Sequence, residues 1–414
     1  MSNKHGGIAM DPVITAAAHA LARGDALGTL KRVALRDDPH ARALRGIAMA
    51  QLGDLPRARE LLRDAARDFG SGSALMVAKC NLAFAEISLV LRDLSGLMHL
   101  LQTTGSILER HGDRSNLAHA TYLQARLALL LGRLGQAEDL LSSIDPSMMP
   151  SVSRPGYWLV AVGIAMRRVE AGKARLALLE AAQAAQLASV PALLAEVETA
   201  RQAALAPAVR LIAEGKDRSL SLAELEKILA SEKLVVDACR SLLRQGPDII
   251  DLRGRPVLFG LLRNLAEAWP NDVPREHLLQ RVFRARQADD SHRARLRVEI
   301  ARLRKVLGPL AGVGATRLGY ALKPKIGTPV VLAPPVQGPH ADILALLADG
   351  EAWSSSGLAL ALDVSPRTVQ RMLDALRRSG KVEWLGHGRS RRWTFAGVPG
   401  FPTGLLLPVN SIGE

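Results

Sequence analysis

Turn-forming residues recur along the first half of the chain at an almost constant interval. Gly53, Arg92, Gly132 and Gly172 are 39, 40 and 40 residues apart. Apolar segments with helical periodicity lie on both sides of each. A fixed period of this kind marks one supersecondary unit, repeated, that cannot bury its apolar face alone and must stack on its neighbours. Aromatic residues make up only 3% of the chain, while Ala, Leu and Arg are abundant. That balance favours helices over β-sandwiches.

The units share small residues where two antiparallel helices must approach. In residues 43–70 these are Gly46, Gly53-Asp54, Ala58 and Ala65, with Leu62 between them. Gly132, Ala137 and Leu141 repeat the arrangement, and Gly172, Ala177 and Ala184 repeat it again; Gly24-Asp25 marks an earlier hairpin with the character of a cap. The pattern resembles tetratricopeptide repeats, although its period exceeds their usual ~34 residues. The resemblance implies an α-solenoid over residues 1–218, whose concave surface would take a protein or peptide. It could equally pack on the rest of the chain or form a homodimer. His99, His111 and His119 lie near one another without metal-ligand spacing and read as surface or interhelical residues.

The formal net charge is +14 and is unevenly placed. Residues 231–330 hold 19 Lys+Arg against 10 Asp+Glu, and all eight basic residues after 331 fall between Arg367 and Arg392. Focused positive charge suits nucleic acid. Residues 219–232 read as a connecting helix. Beyond them the period shortens: residues 234–236 and 249–252 are strand-like, with Gln245-Gly246-Pro247-Asp248 as a turn. Pro256 opens one helix, and residues 275–283 form another. Residues 291–308 form a third, with Leu296, Ile300, Leu303 and Leu307 on one stripe and Arg293, Arg295, Arg297, Arg302 and Arg304 elsewhere. Residues 315–324 alternate like a strand, with Gly319 permitting a bend.

This order is similar to the winged-helix effector domain of OmpR/PhoB-type response regulators, over residues 233–327. The resemblance rests on residues 300–307 and on Gly319-Tyr320-Ala321-Leu322. It implies that the third helix is a recognition helix, that Arg297, Glu299, Ala301 and Arg302 face bases or backbone, and that Arg317 and Tyr320 belong to a wing. Ala301 and Glu299 depart from the family pattern, which implies a different base preference, with Glu299 accepting from a cytosine. No phosphoacceptor receiver domain is read, so phosphorelay control does not transfer.

Residues 328–339 read as a Pro-rich linker. Beyond it, Ser365 and Pro366 are a helix start and Gly380 a stop; Val369, Met372, Leu373 and Leu376 form the inner stripe. Ser365, Arg367, Thr368, Gln370 and Arg371 then occupy the N-terminal part that recognition helices turn to bases. A hairpin follows with Arg389, Ser390 and Arg391 at its tip. Residues 340–398 resemble the winged helix-turn-helix of DeoR-like bacterial regulators, and residues 399–414 form an apolar tail.

No P-loop, HExxH, GxSxG or metal-ligand cluster occurs, so neither an enzyme, a cofactor nor a metal is expected. Cys80 and Cys239 are far apart and fit a reducing, cytoplasmic setting. The N-terminal stretch lacks signal-peptide character, and the apolar runs read as too interrupted to span a membrane. The expectation is a mainly α bacterial-type transcriptional regulator that grips double-stranded DNA with two winged helices. The rival expectation is an interaction scaffold whose winged helices are structural.

Overall fold

The computed structural model describes residues 11–91, 93–131, 133–283, 289–335, 340–347, 353–362, 364–385, 388 and 391–395. The expected turn residues Arg92 and Gly132, and the tail 399–414, lie outside them. Helix dominates, with some sheet.

The first half consists of α1 (Pro12–Ala22), α2 (Ala26–Val33), α3 (Pro39–Gln51), α4 (Leu55–Phe69), α5 (Ala74–Val90), α6 (Leu97–Arg110), α7 (Arg114–Leu130), α8 (Leu134–Ser142), α9 (Arg154–Arg168), α10 (Ala171–Ala188) and α11 (Pro191–Leu205). Successive helices pack on one another. A Gly-Asp pair punctuates three of the breaks. Gly24, Gly53 and Gly112 have φ of 79°, 90° and 70°, a left-handed conformation that suits glycine. The Asp that follows each then accepts from a free amide in the first turn of the next helix. At Gly46 a Cβ would stand 2.9 Å from Leu62 Cγ, so the close approach of α3 to α4 rests on that glycine. The expected turn at Gly172 is displaced: α9 ends on Val169, which takes the left-handed φ of 60°, and Gly172 sits inside the first turn of α10.

One membrane expectation needs correction. Ser71–Val90 is long and apolar enough to cross a bilayer by length and composition. More than half of it is buried in the helical array, and it carries two charged residues inward. Lys79 Nζ lies 3.7 Å from Asp113, and Glu86 lies 3.2 Å from His119 Nε2. Partnered buried charges are what a core helix requires. His119 is therefore a core residue between helices rather than a surface one.

The helical array ends at Leu205, short of the expected boundary at residue 218. Residues 209–220 form a hairpin of β1 (Val209–Ala213) and β2 (Lys216–Leu220), followed by α12 (Leu222–Leu229). Next come β3 (Leu234–Asp237), β4 (Leu242–Gln245) and β5 (Asp248–Asp251), with the expected turn at Gly246-Pro247 between the last two. The expected linker contains β9 (Pro329–Ala333), which lies inside the sheet between β1 and β3 in the order β2-β1-β9-β3-β4-β5. It pairs antiparallel with β1 and parallel with β3. A strand covered on both faces reads as a continuous apolar run with no alternation, which is why it resembles a linker. Pro329 is its first residue and Pro334 follows its end, places where proline leaves the ladder intact.

The sheet joins the two halves. Val331 and Val236 face one core with α13 (Pro256–Ala268). Val330, Leu332 and Val235 face another, shared with Ala165, Val169 and Ala174 of α9, α10 and the turn between them. Glu226 accepts from the Ala171 amide (3.1 Å), and Arg240 donates to the Arg167 carbonyl (3.2 Å). Ser221 and Glu224 form a reciprocal capping box at the start of α12, and hydrogen bonds from Ser221 and Arg218 hold the Glu224 carboxyl down at about 2. A depressed folded pKa stabilises above the unfolded value of 4.5 and ceases to do so as pH falls through about 2. The stability gap between the native chain and Glu224→Gln should therefore be widest above pH 4.5 and close towards pH 2. Urea titrations across that range check it; a pH-independent gap refutes it.

Candidate nucleic-acid interface

Residues 256–324 build the first basic surface. α13 and α14 (Arg275–Phe283) support α15 (Asp290–Leu307), and β7 (Ala311–Ala315) and β8 (Gly319–Pro324) form a hairpin that pairs with β6 (Val273–Pro274). Asp289 caps α15 by accepting from the His292 amide (2.8 Å); that bond, with the His292 ring, holds its carboxyl below the usual range. Leu296, Ile300, Leu303 and Leu307 are buried on the common core, as the apolar stripe predicts. Burying four such side chains contributes about 1.5–3 kcal/mol each and fixes which face of α15 points outward.

Relative to that stripe the outward row is Arg295, Val298, Arg302 and Lys305, at i, i+3, i+7 and i+10. Ala301 is exposed beside it. Val298 and Lys305 lie outside the expected site, which rests on the arginines of the helix and Glu299; position relative to the leucines finds them. Val298, a half-exposed apolar side chain on a basic helix, suits a thymine methyl. Arg295 stacks on Phe283 with its guanidinium carbon 5.2 Å from the ring centroid. Arg293 and Arg297 are exposed on the flank, Arg293 beside Asp290 (3.4 Å).

Two expected readers are otherwise engaged. Arg304 Nε donates to the Val313 carbonyl (2.7 Å), which ties α15 to β7 and fixes the guanidinium at the helix flank, although the residue stays exposed. Glu299 lies on the flank towards the start of α13, its side chain only 12% exposed and accepting from Arg302 (2.7 Å). It positions Arg302 rather than reaching a cytosine. Arg302 and Lys305 border a cleft with Arg255 at the start of α13. Cationic side chains beside the positive end of a helix dipole suit a phosphate.

Arg317 stands exposed at the β7–β8 turn, next to Leu318. Arg275 holds that turn by donating to the carbonyls of Thr316 and Arg317 (3.2 and 3.1 Å), and it lies over Tyr320, which is buried. Tyr320 is thus a support for the hairpin rather than its contact surface. Gly319 is needed for a reason other than a bend. A Cβ there would stand 1.8 Å from the Val273 carbonyl oxygen, inside the β6 backbone. Gly319→Ala should break the β6–β8 pairing and cost about 2 kcal/mol or more; a thermal melt matching that of the native chain would contradict the packing.

The second basic surface is built on α16 (Ala341–Leu347), α17 (Ser355–Leu362), α18 (Pro366–Arg378), β10 (Val382–Leu385) and β11 (Arg392–Phe395). Ser365 caps α18 by accepting from the Thr368 amide (3.1 Å), and its hydroxyl also meets that of Thr368 (2.9 Å). Val369, Leu373 and Leu376 are buried, Met372 partly. Arg367 and Arg371 are exposed, while Gln370 spends its amide on Asp374 (3.1 Å). Trp384 organises the hairpin, with Arg377 and Arg391 over its ring at 3.9 and 4.6 Å and Trp393 edge-on at 5.4 Å. Arg391 is therefore a stacking residue rather than a projecting tip. Arg389 and Ser390 lie outside the described residues.

Among the described residues no group of three or more His, Cys, Asp or Glu side chains could hold a metal. No family model, curated protein or solved structure matches the chain.

Proposed function

We propose that the chain is a sequence-specific transcriptional regulator that binds double-stranded DNA through two winged-helix units, with α15 and α18 as recognition helices. The first half is read as a tetratricopeptide-like solenoid that carries the sensing or recruiting role. The observation that carries the reading is the outward row of α15. Arg295, Arg302 and Lys305 stand opposite a fully buried leucine–isoleucine stripe, beside an exposed hairpin with Arg317 at its turn. A single helix fits a major groove about 12 Å wide, and an adjacent hairpin reaches the next groove. The arginines and Lys305 supply phosphate contacts and salt-dependent affinity, while Val298 and Ala301 are apolar surface at base level. On α18, Arg367 and Arg371 provide a second, smaller contact.

The test is selection of bound fragments from a random duplex library by the purified chain, followed by affinity titrations over a salt series. An enriched motif with steep salt dependence supports the proposal. Recovery of no motif, together with weak and salt-insensitive binding, refutes it.

A further inference from the structure

A cavity of about 430 Å³ lies where the helical array, the large sheet and the C-terminal unit meet. Its walls include Gly163 and Met166 of α9, Leu222 and Leu225 of α12, Leu332 of β9 and Leu344 of α16. That volume and largely apolar lining are those of a small-molecule pocket at a junction between units. The charged side chains that line it are Asp237 at the end of β3, Arg240 beside it, and Arg167 of α9, whose guanidinium is engaged by the Leu129 carbonyl.

Asp237 is buried, and burial pushes its carboxyl above the usual range. Its Oδ1 accepts from the backbone amides of Cys239 (2.9 Å) and Arg240 (3.1 Å). Its Oδ2 lies 4.0 Å from Arg240 Nη1, too far for a hydrogen bond. A hydroxyl oxygen placed at about 2.8 Å from both atoms would donate to the carboxylate and accept from the guanidinium. The two charges sit side by side, so an anionic head is opposed by Asp237 and a cationic head by Arg240. We infer that the cavity binds an uncharged, apolar small molecule whose one hydroxyl or amide group bridges Asp237 and Arg240. The walls come from three parts of the chain, so occupancy bears on how those parts are held together. The site does not depend on DNA being the partner of the basic surfaces.

The experiment uses the full chain and the neutral dye Nile red, whose fluorescence rises in an apolar pocket, with displacement by decanol, decanoate and decyltrimethylammonium at matched concentrations below micelle formation. Saturable one-to-one dye binding is expected, with decanol displacing about tenfold more effectively than either ion. Arg240→Met should weaken displacement by decanol about tenfold, the loss of a charge-assisted hydrogen bond. Leu225→Trp, which fills the cavity, should abolish saturable dye binding. The inference is overturned if the native chain shows no saturable binding, if the ions displace as well as decanol, or if a natively folded Leu225→Trp still binds the dye unchanged. If Leu225→Trp does not fold, the competition series on the native chain decides alone.

Discussion

Replacing Arg295, Arg302 and Lys305 together by alanine should weaken binding to duplex DNA at least about a hundredfold at moderate salt, and should lower the salt slope by about 2–3. Each neutralised phosphate contributes roughly 0.9 to that slope, so the slope counts contacts while the affinity sums their strength. All three side chains are outward and exposed, so folding should be preserved. Removing Arg302 has an added effect, because Glu299 then keeps a carboxylate near the duplex without its partner at 2.7 Å. Val298→Ala and Ala301→Ser should act differently: the slope stays, and the preferred base at one or two positions changes. Fluorescence anisotropy with labelled duplexes over a salt series measures both quantities. A triple variant with affinity and slope within about twofold of native would remove the case for α15 as a DNA-reading helix.

Val331→Asp should unfold the middle of the molecule. Val331 is fully buried in the interior strand β9, paired with Val236 on one side and Ile212 on the other. Its side chain belongs to the core against α13, while Val330 and Leu332 belong to the core against α9 and α12. An unpaired carboxylate there costs about 4–5 kcal/mol or more, a large fraction of ordinary domain stability. Thr328→Asp, three residues earlier and exposed, should cost within about 0.5 kcal/mol. If residues 328–339 were a solvated linker, the two substitutions would be indistinguishable. Urea unfolding of both variants separates the cases, and equal midpoints would remove β9 from the sheet.

What was legible in the sequence is what local chemistry fixes. The Gly-Asp breaks announce themselves because a left-handed glycine and an Asp cap are needed within two residues. The stripe of α15 and the Ser365-Pro366 start of α18 are equally local, and both stand where the spacing predicts. The charge segregation located the basic surfaces without any structure.

What the sequence could not carry depends on contacts between distant residues. Arg304 and Arg302 look alike in the chain; one is tied to Val313 and the other stands at the cleft beside Glu299. Gly319 reads as a bend residue, yet it is required because the β6 backbone passes against it. Residues 329–333 have no alternation to betray a strand, because both faces are covered. Periodicity reports which face of a segment is buried, and it is silent on what buries it. The order of the chain therefore determined the helices, their caps and the basic character of α15. Only the folded structure decided that a strand from the expected linker holds the array and the sheet together, because pairing between β9, β1 and β3 is a property of residues some hundred positions apart.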